Sequence, residues 1–462
     1  MPHENTDQPR SDGGTELVDY GIDEEPPLGE SVALGIQHLL AMFLSTVAHS
    51  LVIASAIGVS SSDTTFIVQM ALLVAGVATI VQAYPIGPIG ARLPIVMGTS
   101  AIFVSPLIDI GTEFGLAAIF GAALVAAPVE IVLGYFFDEV ERFFPPLVTG
   151  IVVMLVGLTL IPIALQYSAG VPGTESFGNL EHLGLAGLVL VVALIANQFF
   201  GGFTRSASVL IAVVVGYLAA IPLDLLDLSA VGEAAWFSLP TPLAYGLEFE
   251  PSAIVLVAFA YIITTMETIG DVVGTTEAVG RNPTSEETKG GLVADGVMSG
   301  VAAIFNAFPN TSFSQNVGLI SFTGIASRFV VAITGVLLVV LGLVPKVAAV
   351  VSAMPNPVLG GAAIVLFGMI FSIGLRIVVR GAELTRRNLT IIATSIVLGV
   401  GVECRADALA KLPEDIQVIA TSGLIVGGVT ALVLNAVLPE ETGPMAEGPL
   451  GEPVAGQDET EE

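Results

Sequence analysis

Apolar residues run along this chain in blocks close to the roughly 20 residues that a helix needs to cross a bilayer core. Bounded by charge, proline or glycine, the blocks fall at 32–57, 64–84, 94–107, 114–137, 146–166, 183–200, 207–223, 252–270, 290–308, 313–323, 328–345, 358–376, 388–403 and 417–438. They run apolar throughout instead of alternating, which excludes a transmembrane β-barrel. The pattern predicts an all-α polytopic membrane protein with 14 transmembrane segments.

Two blocks are too short to cross about 30 Å as unbroken helices. Residues 94–107 (PIVMGTSAIFVSPL) and 313–323 (FSQNVGLISFT) are rich in Gly, Ser and Asn, and the first also carries proline. They are the third and tenth blocks, seven apart, and a second copy of an odd number of spans enters the membrane upside down. The halves 31–225 and 251–438 therefore read as a 7+7 inverted repeat. Interrupted backbone at membrane depth is tolerated only where it lines a cavity or is buried in protein. A solute site is predicted between the two broken segments.

Charge orients the spans. With the N-terminus inside, the inner loops hold Arg10, Arg92, Arg142, Arg205, Arg281, Lys289, Arg328, Arg376, Arg380, Arg386 and Arg387, and the outer loops only Lys346, Arg405 and Lys411. That bias predicts both termini in the cytoplasm of a multi-pass plasma-membrane protein. The N-terminus has no basic stretch leading into an apolar one, so no cleaved signal is expected.

Composition agrees: 54% of the 462 residues are hydrophobic and 12% charged, with a mean hydropathy of +0.88. Of the net charge of −28, the tails 1–30 and 439–462 supply −16 and read as disordered. Nucleic acid is a poor partner for such a surface. Only three lysines occur, a balance typical of proteins adapted to high salt. Cys404 is alone, which excludes an intrachain disulfide or a cysteine metal site. No Gly-rich Walker cradle and no HExxH appear, so the chain reads as a secondary transporter without a cofactor, not an enzyme.

Ionisable groups inside spans cost about 2.5–3.5 kcal/mol each and so point to function. They are His38 in span 1, Glu130 in span 4, Glu267 and Asp271 in span 8, and Asp295 in span 9. Glu267 and Asp271 lie four apart in METIGD, on one helix face. Either one of them binds and releases a proton, or Asp271 merely caps the cytoplasmic end toward Arg281. The amides of Gln315 and Asn316 suit a planar solute with alternating N–H and C=O groups, or satisfy freed backbone. Phe313 and Phe322 are placed to stack on a flat ring or to pack. Gln37 and His38 brace span 8, or His38 accepts a proton. Glu130 has no evident partner; His3, His49 and His182 read as tail, span-end and loop residues.

QNVGLISFTG at 315–324 matches the Q/E-N-x-G-x-x-x-x-T signature of the nucleobase–ascorbate transporter family, the uracil and xanthine permeases. GIQH in span 1, LPIVMGTS near span 3, PPLVTGIVVMLVGLTLIP in span 5, METIGD in span 8 and PNPVLGGAAIVLFG in span 12 also resemble that family, in consistent order over 31–438. The resemblance implies a core domain (31–137 and 251–345), a gate domain (146–225 and 358–438), and short strands in spans 3 and 10. It implies that Glu267 accepts N–H bonds from a nucleobase and Gln315 pairs with the opposite edge, with Phe313, Phe103, Ala101 and Gly318 around them. His38, Gln37, Asp271, Asp295 and Asn316 would support proton coupling and site geometry. A homodimer through the gate domain is implied, with sodium the other candidate ion. Gln315, where uracil members usually carry Glu, points to the xanthine and uric acid branch. Ala101 departs from the aromatic that many members place there; Phe103 would share its face if the stretch is a strand.

Overall fold

The computed structural model describes residues 18–136, 145–201, 204–205 and 207–439. Arg10, Arg142 and the tail stretches 1–17 and 440–462 lie outside the described residues. Each predicted span has a counterpart. Spans 1 and 2 are single helices, Leu28–Ala56 and Ser61–Ala83. Span 4 is Leu116–Ala126 continued by Pro128–Tyr135, and span 5 is Pro146–Thr159 continued by Ile161–Ala169. Spans 6 to 9 are Leu180–Phe199, Ser208–Ala220, Pro251–Ala278 and Ser285–Ile304. Spans 11 to 14 are Arg328–Gly342, Asn356–Gly381, Arg386–Cys404 and Gly423–Val437. Span 11 turns by 82° into a further helix, Pro345–Ser352, a break its continuous apolar block did not reveal.

Helix ends follow local chemistry. Ser60 accepts from the Asp63 amide to start span 2, and Thr284 forms a reciprocal capping box with Glu287 to start span 9. Pro146 and Pro251 occupy the first turn of their helices, where the missing N–H costs nothing.

Spans 3 and 10 are broken as expected. Strand β1 (Met97–Thr99) is followed by a 3-10 turn, Ala101–Phe103, and the helix Val104–Glu113. Strand β2 (Asn310–Ser312) is followed by the helix Ser314–Thr323. The strands pair antiparallel, Met97 with Ser312, Gly98 with Thr311 and Thr99 with Asn310. The second break thus begins before the predicted boundary at 313, because Asn310 to Ser312 look too polar for a span. The 3-10 turn removes the premise that Phe103 shares a strand face with Ala101: Phe103 is fully buried, edge-on to Tyr261 with ring centroids 4.8 Å apart.

The described part of the N-terminal stretch is tied down. Asp19 donates to the Gly324 carbonyl at 2.7 Å and the Ala326 amide to Tyr20 at 2.9 Å, while Arg328 pairs with Asp23 at 2.8 Å. Tail composition alone had read 1–30 as disordered; backbone pairing with the turn after span 10 orders its last third.

Small residues let the spans close up, as in other membrane bundles. A Cβ on Gly76 of span 2 would stand 2.5 Å from the Gly335 carbonyl oxygen of span 11, and one on Gly335 would stand 2.8 Å from that of Gly76. Replacing Gly76 with Leu should therefore cost about 1–3 kcal/mol through overpacking. Gly187, which has nothing within 4 Å, should accept Ala without loss. Thermal melting of both variants in detergent checks this: Gly76→Leu melts several degrees lower, Gly187→Ala as the parent.

Candidate functional site

Span 8 carries Thr264, Thr268, Asp271 and Thr275 at helical spacing, all buried along one stripe. The stripe meets β2. Asp271 accepts from the hydroxyls of Ser312 and Ser314, each at 2.6 Å. It therefore does not cap the end of span 8, which continues to Ala278; the open alternative is closed in favour of a buried, hydroxyl-bound carboxylate.

Asp295 of span 9 is fully buried. Its Oδ2 accepts from Thr268 and, at 3.3 Å, from Thr311 of β2. Glu130 of span 4 is also fully buried; its Oε1 accepts from Thr264 at 3.0 Å, and its carboxyl is an electrostatic neighbour of that of Asp295. Glu130 thus has the partners that the sequence did not disclose.

Asn316 donates through Nδ2 to His38 twice, at 3.0 Å to ring Nδ1 and 3.1 Å to the carbonyl oxygen. With Nδ1 accepting, the ring proton sits on Nε2. His38 does brace a neighbouring span, but span 10 in place of the expected span 8. Gln37 is half-buried beside it without a hydrogen bond to a described residue.

Glu267 and Gln315 differ from these residues. Both are half-buried, and neither side chain hydrogen-bonds to any described residue. Each shares its helix face with an exposed glycine three residues on, Gly270 and Gly318, and a Cβ on either would meet nothing within 4 Å. Spans 8 and 10 approach just below, where a Cβ on Gly274 would stand 3.0 Å from Val317. Two open polar positions thus flank the ladder. Ala101 is half-buried at the start of the other broken segment.

Phe313 is 5% exposed and lies on Gly98, where a Cβ would come within 2.4 Å of its ring. Phe322 is 65% exposed at the far end of its helix. His49, read as a span-end residue, is buried near the ladder and bonded through Nδ1 to the Thr99 carbonyl at 2.9 Å. His182, read as a loop residue, sits in the first turn of span 6, bonded to the Ala169 carbonyl at 3.0 Å. Sequence reading missed the hydroxyls of Thr264, Thr268, Thr311, Ser312 and Ser314. The spacing of 264, 268 and 271 in one helix was the available signal.

A 7+7 inverted repeat with two broken segments meeting at a ladder defines a secondary transporter. The fold agrees with the transmembrane domain of a cyanobacterial bicarbonate transporter, BicA, at a TM-score of 0.57 and 14% identity, covering 88% of this chain and 97% of that one. Residues 29–406 match the xanthine/uric acid permease model, described as a permease family. The chain belongs to that family, the nucleobase–ascorbate transporters. It is 38% identical over 459 residues to the xanthine permease XanP of Escherichia coli (strain K12), covering 96% of this chain and 98% of the relative. It is 37% identical over 404 residues to the uric acid permease PucK of Bacillus subtilis (strain 168), covering 87% and 94%. The protein is a multi-pass membrane transporter and not an enzyme.

Removing the Asn316 amide leaves the His38 ring nitrogen without a donor in a buried place, at a cost of about 1–3 kcal/mol. Asn316→Ala should melt several degrees below the parent in detergent and transport more slowly at saturating substrate.

Proposed function

We propose that the protein is a symporter for an oxidised purine base, xanthine first and uric acid second, driven by a proton gradient. The observation that carries this is the pair of unpartnered polar side chains, Glu267 and Gln315, on the open faces of spans 8 and 10. A carboxylate accepts two N–H bonds, and an amide both donates and accepts. Together they complement the edges of a flat ring bearing adjacent N–H and C=O groups. Ala101 and Gly318 leave room beside it, and Phe313 and Phe103 form the packed floor. The chain's similarity to a xanthine permease, XanP, and a uric acid permease, PucK, supports the substrate class.

Sodium is the other candidate ion. The coupling set is Asp271, Asp295 and His38, with Gln37 and Asn316 holding geometry. Transport is rocking of the core (31–137 and 251–345) against the gate (146–225 and 358–438), in a homodimer joined through the gate. Both termini face the cytoplasm of the plasma membrane, in keeping with the arginine bias of the loops.

Uracil is the second substrate reading, and it turns on Gln315. An anion transporter sharing this fold is disfavoured by Glu267, since a carboxylate on the open face repels an anion. No lysine or arginine occupies the middle of a span to offset it.

Glu267→Gln should abolish radiolabelled xanthine uptake by reconstituted vesicles while leaving insertion intact; accumulation at the parent level rejects the assignment. Gln315→Glu should move competition by at least about tenfold toward uracil, measured as the ratio of inhibition constants for uracil and xanthine. An unchanged ratio shows that this residue does not discriminate.

A further inference from the structure

Glu130 is a buried carboxylate for which base recognition provides no task. Glycines bring it to its place. A Cβ on Gly296 of span 9 would stand 2.7 Å from the Ile131 side chain and 2.9 Å from the Ala127 carbonyl oxygen, and one on Gly134 of span 4 would stand 2.8 Å from Leu292. Spans 4 and 9 are therefore in direct backbone contact, and Glu130 meets Asp295 in the seam.

Each carboxyl has one oxygen served and one left over. Glu130 Oε1 takes the Thr264 hydroxyl, and Asp295 Oδ2 takes those of Thr268 and Thr311. Glu130 Oε2 and Asp295 Oδ1 are buried and meet no donor among the described residues. Two ionised carboxylates are acceptors only, so in contact they can bond to each other in no way. The titratable groups of span 8 around the pair are Tyr261, Glu267 and Asp271, which supply no positive charge. The first turns of span 9 also carry Glu286, Glu287 and Lys289, with Glu287 paired to Arg281 and Lys289 lying over the Tyr135 ring of span 4; β2 adds only the Thr311 hydroxyl. No lysine, arginine or histidine among the described residues is paired with either acid. One proton between the leftover oxygens turns two unsatisfied acceptors into a donor and an acceptor, and removes a repulsion that low dielectric magnifies.

We infer that Glu130 and Asp295 share a single proton, and that this pair, away from the base-facing Glu267, is the site where the transported proton is held. The hydroxyls connect it to the ladder. Thr268 bonds Asp295, Ser312 bonds Thr268 at 3.3 Å, and Ser312 bonds Asp271 at 2.6 Å. Once the shared proton shifts to Asp295 Oδ2 and the Thr268 hydroxyl turns from Asp295 to Ser312, transfer from Asp295 to the Thr268 oxygen, from Thr268 to Ser312 and from Ser312 to Asp271 moves one charge and leaves each hydroxyl intact. Glu130 is then a positioning and proton-holding residue, not a ligand of the base. The coupling role rests on the symport reading above; the shared proton does not.

Infrared spectroscopy of the purified protein near neutral pH tests the shared proton directly. The parent should show a carboxylic-acid C=O band that shifts on exchange into D2O and is lost in Glu130→Gln. In vesicles, the ratio of pH-driven accumulation to equilibrium counterflow of xanthine should fall at least about tenfold in Glu130→Gln. A parental ratio together with an unchanged band overturns the proposal. A lost band in a protein whose parent ignores pH gradients supports the shared proton and rejects symport. If Glu130→Gln fails to insert, the parent carrying 13C-carboxyl glutamate decides, since an acid band insensitive to that label overturns the proposal.

Discussion

Backbone that leaves the helix inside a bilayer must find other partners for its N–H and C=O groups, and the rest of this molecule is arranged around that demand. The two strands answer it for each other over three residue pairs. Their remaining groups are met by hydroxyls one span earlier in each repeat. Thr79 of span 2 takes the Met97 amide at 2.9 Å, and Ser299 of span 9 takes the Asn310 amide and returns a bond to its carbonyl, both at 3.0 Å. Spans 2 and 9 are equivalent under the inverted repeat, so the same solution occurs twice. Because the ladder is satisfied internally, the helices that follow it start at mid-depth with their positive ends toward the break. That geometry leaves room for a solute without leaving raw backbone exposed to lipid.

The acids around the ladder are held by hydroxyls in place of cations. Hydrogen bonds to charged groups contribute about 1.5–3 kcal/mol each, comparable to the insertion cost of one buried acid on translocon scales. Asp271, with two serine donors, is offset in this way. Glu267 and the remaining oxygens of Glu130 and Asp295 are not. The uncompensated groups fall into two sets with different missing partners. Glu267 is partly open and lacks donors that a solute can bring; the buried pair lacks only a proton. On the reading proposed above, recognition by Glu267 and proton holding by the buried pair are separate tasks that meet at span 8, where Thr268 bonds Asp295.

Much of this architecture was legible in the sequence because its signals are one-dimensional. Apolar run length gave the spans, and the separation of the two short blocks by seven spans gave the repeat. Glu267 and Asp271 were visible as charges where charge is expensive. What could not be read was pairing across spans. Glu130 looked isolated because Thr264 and Asp295 are 134 and 165 positions away in the chain, and only the glycine seam between spans 4 and 9 joins them. His38 was assigned the wrong neighbour for the same reason. β2, expected within span 10, falls just before the block at 313, because Asn-Thr-Ser resembles a loop until Thr311 and Ser312 are seen bonded to acids. His49 was read as a span-end residue because its target could not be seen: it is a carbonyl fifty residues on, in strand β1.

Contacts between the two proposed bodies gather on one half of the membrane. Tyr167 at the end of span 5 donates to the Val52 carbonyl at 2.8 Å, Ser105 donates to Glu403 at 3.2 Å, and His49 stacks on Phe367 with centroids 6.5 Å apart. Spans 1, 3, 5 and 13 are all odd-numbered, so their C-terminal halves lie together, on the side away from the N-terminus. Neutral hydrogen bonds of this kind contribute about 0.5–1.5 kcal/mol net. The closed side is therefore held by few, individually modest, polar contacts over an apolar face. Glu403 also accepts from the Gly423 amide at 2.9 Å, which keeps the carboxylate satisfied after Ser105 departs. In the rocking motion proposed above, a core that parts from the gate strands no buried charge, which is the condition for two access states of similar energy.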